Sequence, residues 1–168
     1  MKISKLILVL GALLLTVNLA GAKPPAKSAK QTSPAALVAD LYRESARKRS
    51  PFFQTRSRAL VNRYFEKQLG DMIWKDAIRS KGEVGALDGD PLYNAQDMEI
   101  KHFVIHEPDV VKGQSGDEAE VKVTFENFGA KKEIIFVLRR STGPRGWKIS
   151  NIKYDDGADL LGILKGGN

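Results

Sequence analysis

WKISNIKY, residues Trp147–Tyr154, alternates apolar and polar side chains, but the alternation slips midway. Trp147 and Ile149 keep one phase, whereas Ile152 and Tyr154 keep the other. A strand has a side-chain period of two, so both halves reach one core only if an extra residue is inserted as a bulge near Ser150. MEIKHFVIH, Met98–His106, repeats the pattern, with Met98 and Ile100 before the slip and Phe103 and Ile105 after it. Two slips in two strands predict a strongly bent sheet.

The stretches between them read as its other strands. Ala119, Val121, Val123 and Phe125 alternate with Glu118, Glu120, Lys122, Thr124 and Glu126, the mark of a strand with one wet face. Asn127-Phe128-Gly129 supplies turn chemistry. Lys132–Arg140 is then apolar on both faces through Ile134–Leu138 and is expected to be central. Upstream the period is helical. Ser33-Pro34 is a cap followed by Pro at the first helical position, and Leu37, Val38, Leu41 and Tyr42 form one stripe before the basic run Arg47–Arg49. Pro51 breaks that helix. Leu60, Val61, Tyr64 and Phe65 make a second stripe, Gly70-Asp71 a punctuation, and Met72, Ile73, Trp74, Ala77 and Ile78 a third stripe ending before Lys81-Gly82. Asp155-Asp156-Gly157 turns the chain into a short closing helix with Leu160, Leu161 and Leu164 on one side. The expected fold is α+β: N-terminal helices packed on a strongly curved, four-stranded antiparallel sheet, a cone-like single domain over residues 34–168.

Residues 1–22 read as a signal peptide. Lys2 and Lys5 precede an apolar run, Leu6–Val17, and Ala20-Gly21-Ala22 gives the small-x-small pattern of a cleavage site. Residues 23–33, KPPAKSAKQTS, lack apolar periodicity and read as a flexible linker. Cleavage near Ala22 leaves about 146 residues, enough for one domain burying roughly two thirds of its unfolded surface. The expected compartment is the periplasm, or the exterior. The chain has no cysteine, which excludes disulfides, thiolate metal sites and a lipidated N-terminal cysteine. Removal of the leader takes two charges from the formal +7. The remaining excess crowds the N-terminal half, at Arg43, Arg47, Lys48, Arg49, Arg56, Arg58 and Arg63. In an exported protein this layout suits an acidic protein or weak contact with an anionic membrane surface rather than nucleic acid, and serves solubility in any case.

The helix-then-bent-sheet order resembles the cystatin-like roll of the nuclear transport factor two and ketosteroid isomerase superfamily. LDGDPLYNAQD, Leu87–Asp97, together with GWKISNIKYDDGADL, Gly146–Leu160, is similar to a YbjP-like domain-of-unknown-function family of small exported bacterial proteins. The likeness covers most of the chain from about Pro34 onward. It implies an envelope compartment and the cone-like fold, and brings no reaction with it. The missing acceptor cysteine departs from lipoprotein members.

ALDGDPLYNAQD, Ala86–Asp97, is the stretch richest in candidate site residues. As a helix-loop-helix calcium loop it fails, because Leu92 takes a ligand position and Tyr93 the place that demands Gly. A looser calcium site or a plain turn remains, and the turn is favoured. His102 and His106, the two histidines, lie roughly 13 Å apart along a strand, too far to share an ion, so no metal and no cofactor are expected. Acid-base chemistry would pair Asp97 with Tyr42, Tyr93 or Tyr154 in an apolar cone, where burial raises a carboxyl's pKa. The favoured reading makes Asp88-Gly89 and Asp90-Pro91 turn dipeptides, with Asn94, Gln96 and Asp97 satisfying backbone groups and Leu92 as an apolar peg. Asp90, Tyr93, Gln96 and Asp97 are the ligand-binding candidates at a pocket mouth. Arg47 and Arg49 with Phe52 and Phe53 are the partner-binding candidates, one phenylalanine facing in and one out. Trp74 and Trp147 read as packing. The expected function is an exported, non-catalytic domain that binds an envelope protein or a small amphipathic ligand. A small isomerase or hydratase using Asp97, or an inhibitor of or immunity protein to a cell-wall enzyme, are the alternatives.

Overall fold

The computed structural model describes residues 33–81, 85–112, 116–140 and 146–166. The expected signal peptide and all of the linker except Ser33 lie outside them. Three helices come first: α1 (Pro34–Ala46), α2 (Arg58–Tyr64) and α3 (Lys67–Ser80). Five strands follow, β1 (Ile100–Ile105), β2 (Asp109–Val111), β3 (Asp117–Asn127), β4 (Ala130–Arg140) and β5 (Lys148–Tyr154), and then α4 (Leu160–Gly166). The strands form one antiparallel sheet in the order β1-β3-β4-β5, open rather than closed into a barrel.

Both slips are bulges. In β5 the partners of Val137 and Leu138 are Asn151 and Ile149, so Ser150 is the inserted residue, its hydroxyl donating to the Val137 carbonyl at 3.1 Å. Trp147, Ile149, Ile152 and Tyr154 therefore all enter the core despite the change of phase. In β1 the register shifts between Lys101 and Val104, and His102 takes a positive φ of 51° there. The inward set on this strand is less deep than the pattern implies: Met98 and Phe103 are exposed and Ile100 and Ile105 half-buried, because β1 lies at the edge with one neighbour. The sheet also has a fifth strand in place of the expected four. β2 pairs with Glu118–Glu120 of β3, continuing the edge line that β1 begins on Val123–Asn127. Pro108, which has no N–H for a ladder, separates the two.

β4 is central, as its composition predicts, with β3 on one side and β5 on the other. Only one of its faces enters the core, however. Ile134, Phe136 and Leu138 are buried, whereas Ile135 and Val137 stay half-exposed among cross-strand ion pairs: Glu118–Arg139 at 2.7 Å, Glu120–Lys153 at 2.8 Å and Lys122–Glu133 at 3.1 Å. The β3–β4 turn places Phe128 and Gly129 at positive φ, 49° and 78°.

The helices cover the inner face. α1 packs on β1 and β3, α2 and α3 on β5, and α4 closes against α3 and β5. Leu41, Val61, Tyr64, Leu69 and Ile73 meet Val121, Phe136, Ile149 and Ile152 in one continuous core, each such large apolar side chain contributing about 1.5–3 kcal/mol by burial. The Ser33 hydroxyl caps α1 by accepting from the Ala36 amide at 3.2 Å. One sequence expectation is corrected here: Gly70-Asp71 does not separate two helices. The break falls at Phe65–Glu66, where the chain runs along the free side of β5 and the Glu66 amide donates to the Ile149 carbonyl at 2.9 Å. Gly70 lies inside α3, where an added Cβ would stand 3.5 Å from Val61. That is an ordinary van der Waals distance, so the site has room for an alanine.

Candidate functional site

The segment Ala86–Asp97 links α3 to β1 and is held at its start, middle and end. At its start the buried Asp76 carboxylate, on α3, accepts from the Ala86 amide at 2.9 Å. Gly85 lies so close to that carboxylate that a Cβ would meet it at 2.6 Å. In the middle Leu92 is fully buried. The Tyr42 hydroxyl donates to the Leu92 carbonyl at 2.7 Å and the Tyr154 hydroxyl to the Pro91 carbonyl at 3.2 Å. At its end Asn127 donates to the Asp97 carbonyl at 3.2 Å and accepts from the Glu99 amide at 2.8 Å. Within the segment the Asp90 amide donates to the Ala95 carbonyl at 2.8 Å, and the Asp90 carboxylate accepts from the Leu92 amide at 2.9 Å. Gly89 runs against this closure, since a Cβ there would be 2.9 Å from the Ala95 carbonyl oxygen. Asp90 as a turn residue and Leu92 as the peg match the turn reading, but Asn94, expected to bond backbone, donates to the Asp156 carboxylate at 3.0 Å, and the backbone groups are held by Tyr42, Tyr154, Asp76 and Asn127.

Beneath the turn lies a cleft of about 260 Å³. Its apolar wall is Leu87, Pro91, Ala95 and Ile163; Asp90 and Gln96 are among its polar groups, and Tyr154 contributes to its side. Burial pushes the Asp90 carboxyl up from the usual carboxylate range, partly offset by the Leu92 amide. Burial likewise raises the Tyr42, Tyr93 and Tyr154 hydroxyls, and the Asp90 charge adds to each. Tyr42 and Tyr154 are therefore neutral donors to backbone carbonyls, not bases.

Of the four ligand-binding candidates, Asp90 and Gln96 line this cleft. Tyr93 turns instead toward an aromatic cluster, its ring edge-on to Tyr42 and to Phe125, each at 5.5 Å. Asp97 is exposed and is not among the residues lining the cleft. The supports that pattern reading missed are Asp76, Asn127 and Ile163. Asp76 alone leaves a trace in the sequence, as an acid beside the apolar stripe Ile73–Ala77 of α3.

The partner-binding candidates divide differently. Phe52 is only 1% exposed and packs on Phe65 at 5.1 Å, so its assignment to a contact patch is corrected: it is core. Phe53, 52% exposed, is the outward member. Arg47 and Arg49 both close on the buried Glu44, at 3.1 and 3.3 Å. The backbone brings them there. Lys48 adopts a left-handed conformation (φ 59°), the Lys48 amide donates to Ser45 and the Arg49 amide to Glu44, a Schellman ending with Pro51 two residues on.

His102 and His106 engage different partners, Glu126 at 3.7 Å and Thr124 at 2.8 Å, and no group of three or more His, Asp or Glu suited to a metal occurs among the described residues. Trp74 and Trp147 pack as expected, with Arg58 and Arg140 over their rings at 5.4 and 5.1 Å. No helix among the described residues is long and apolar enough to cross a membrane. Comparison of the chain with protein-family models, with curated proteins and with solved structures gives no match.

Proposed function

We propose that this chain is an exported, non-catalytic binding domain, related to the YbjP-like family of small envelope proteins, whose recognition site is the cleft under Ala86–Gln96 and whose occupant is a small amphipathic ligand. The observation that carries the reading is the pre-organised loop: Tyr42 and Tyr154 fix its two buried carbonyls, so the cleft exists before any ligand arrives. Binding is favoured over isomerase or hydratase chemistry for a matching reason. Acid-base catalysis needs two groups converging on one substrate, while the Tyr42 and Tyr154 protons are already engaged and Asp97 is not among the residues lining the cleft. The cleft displaces the basic turn as first candidate, because Arg47 and Arg49 share Glu44 and Phe52 is core.

Native mass spectrometry of the protein after exposure to a small-molecule extract of the envelope tests this. The expected result is a retained adduct that disappears in Ile163→Trp, which fills the cleft from α4. An adduct retained equally by both proteins, or by neither, would remove the cleft. Cell fractionation tests export: processed chain in the periplasm is expected, and unprocessed chain in the cytosol would contradict it.

A further inference from the structure

We infer that the cleft under Ala86–Gln96 takes a small organic cation, an ammonium on an apolar stem, with the ammonium seated on the Asp90 carboxylate. The inference deepens the binding reading above and rests on it. The first ground is a missing partner. Asp40, Glu44, Asp76 and Asp117 are also largely withdrawn from solvent, and each is in ion-pair contact with an arginine; Glu66, half-buried without such a contact, feels the Arg139 charge. Among the described residues Asp90 has no such contact. One of its oxygens holds the Leu92 amide, and none of the described residues lining the cleft is basic, in a chain whose formal charge is +7. A carboxylate removed from water without a counter-charge is destabilising, and a bound cation supplies what the fold omits.

The second ground is the character of the walls. Besides Asp90 the charged lining residue is Asp88, at the exposed rim. The groups facing Asp90 from the packed elements are Tyr42 of α1, Tyr154 of β5 and Tyr93 of the turn itself, all neutral. Tyr154 contributes to the lining, and Leu87, Pro91, Ala95 and Ile163 provide apolar surface for a stem. The third ground is size. The volume of about 260 Å³ falls just under the roughly 300–1,000 Å³ of sites for drug-sized ligands, so the occupant is small. Among the described residues no third His, Asp or Glu joins Asp88 and Asp90 in a metal-ligand group.

The test is an amide-shift NMR titration of the protein, expressed with its own N-terminus and purified as the cell leaves it, with n-butylammonium, n-butanol, n-butyrate and calcium chloride. Saturable shifts at Gly89–Gln96 with n-butylammonium are expected, at least about tenfold tighter than with n-butanol, and none with n-butyrate. Affinity should rise with pH as Asp90 ionises, a readout that needs no variant. Asp90→Asn, which keeps an oxygen for the Leu92 amide, should abolish the preference for the ammonium over the alcohol, while Asp88→Asn should retain it. If n-butanol binds as well as n-butylammonium, the cleft is a binding site but the cation assignment is overturned. Calcium binding at the same residues in preference to the amine overturns it too. If no probe shifts the cleft, both the inference and the binding reading beneath it fall.

Discussion

The segment Ala86–Asp97 and the turn Arg47–Phe53 carry similar signs of a recognition surface, charged side chains interleaved with aromatic or apolar ones, yet the fold treats their charges in opposite ways. In the turn, the two arginines converge on Glu44, so cations that look free in the sequence are already partnered. In the loop, most polar groups are also used, by Tyr42, Tyr154, Asp76 and Asn127, but the Asp90 carboxyl has no cation partner among the described residues and lines a cleft. Charge density therefore says less about recognition than whether the fold has left a charge unanswered.

The contrast can be broken most forcefully at the apolar pegs. Phe52→Ala should destabilise the protein by about 3–5 kcal/mol and Leu92→Ala by about 2–5 kcal/mol, read from urea unfolding. Near-zero effects would mean that neither region is anchored as described. Tyr42→Phe removes one hydroxyl and leaves the buried Leu92 carbonyl without that donor, an expected loss of about 1–3 kcal/mol. In the same variant, hydrogen exchange at the Leu92 and Tyr93 amides should quicken more than exchange in β4. Lys48→Gly should stabilise by about 0.5–1 kcal/mol, because glycine adopts the left-handed conformation at the α1 terminus without a Cβ penalty. The smallest effect belongs to the outward ring: Phe53→Ser should change stability by no more than about 0.5 kcal/mol and leave cleft binding unaltered.

The bent sheet was legible because a phase slip is a parity count along one strand, and Trp147–Tyr154 and Met98–His106 carry that count locally. β4 and the Ser33-Pro34 helix start were equally local. The remainder depended on what comes near in space. Gly70 reads as a helix stop, but the break falls at Phe65–Glu66, where the chain bonds to Ile149 of β5. Phe52 and Phe53 are adjacent in an aperiodic turn, so nothing in the pattern says which one faces the core. β2 has three residues, too few for a pattern. The loop was recognisable as a turn with Leu92 as its peg, but the tyrosines that hold it lie 50 and 63 residues away from the carbonyls they bind. Asp97 stands at the entry to a strand, where pattern draws attention to it; the carboxyl that lines the cleft is that of Asp90, two residues before the buried Leu92.

Isolation of the Asp90 carboxyl is the central claim, and a carbon-13 NMR titration of that group in the ligand-free protein tests it directly. With the folded-state pKa raised above the unfolded value, the native state binds more protons between the two values, so stability falls as pH rises through that window. Asp90→Asn should remove this slope. The account predicts a midpoint clearly above the ordinary aspartate value of about 3.9, together with that loss of slope. A midpoint at or below the ordinary value would mean that Asp90 is solvated or already paired, and would contradict it.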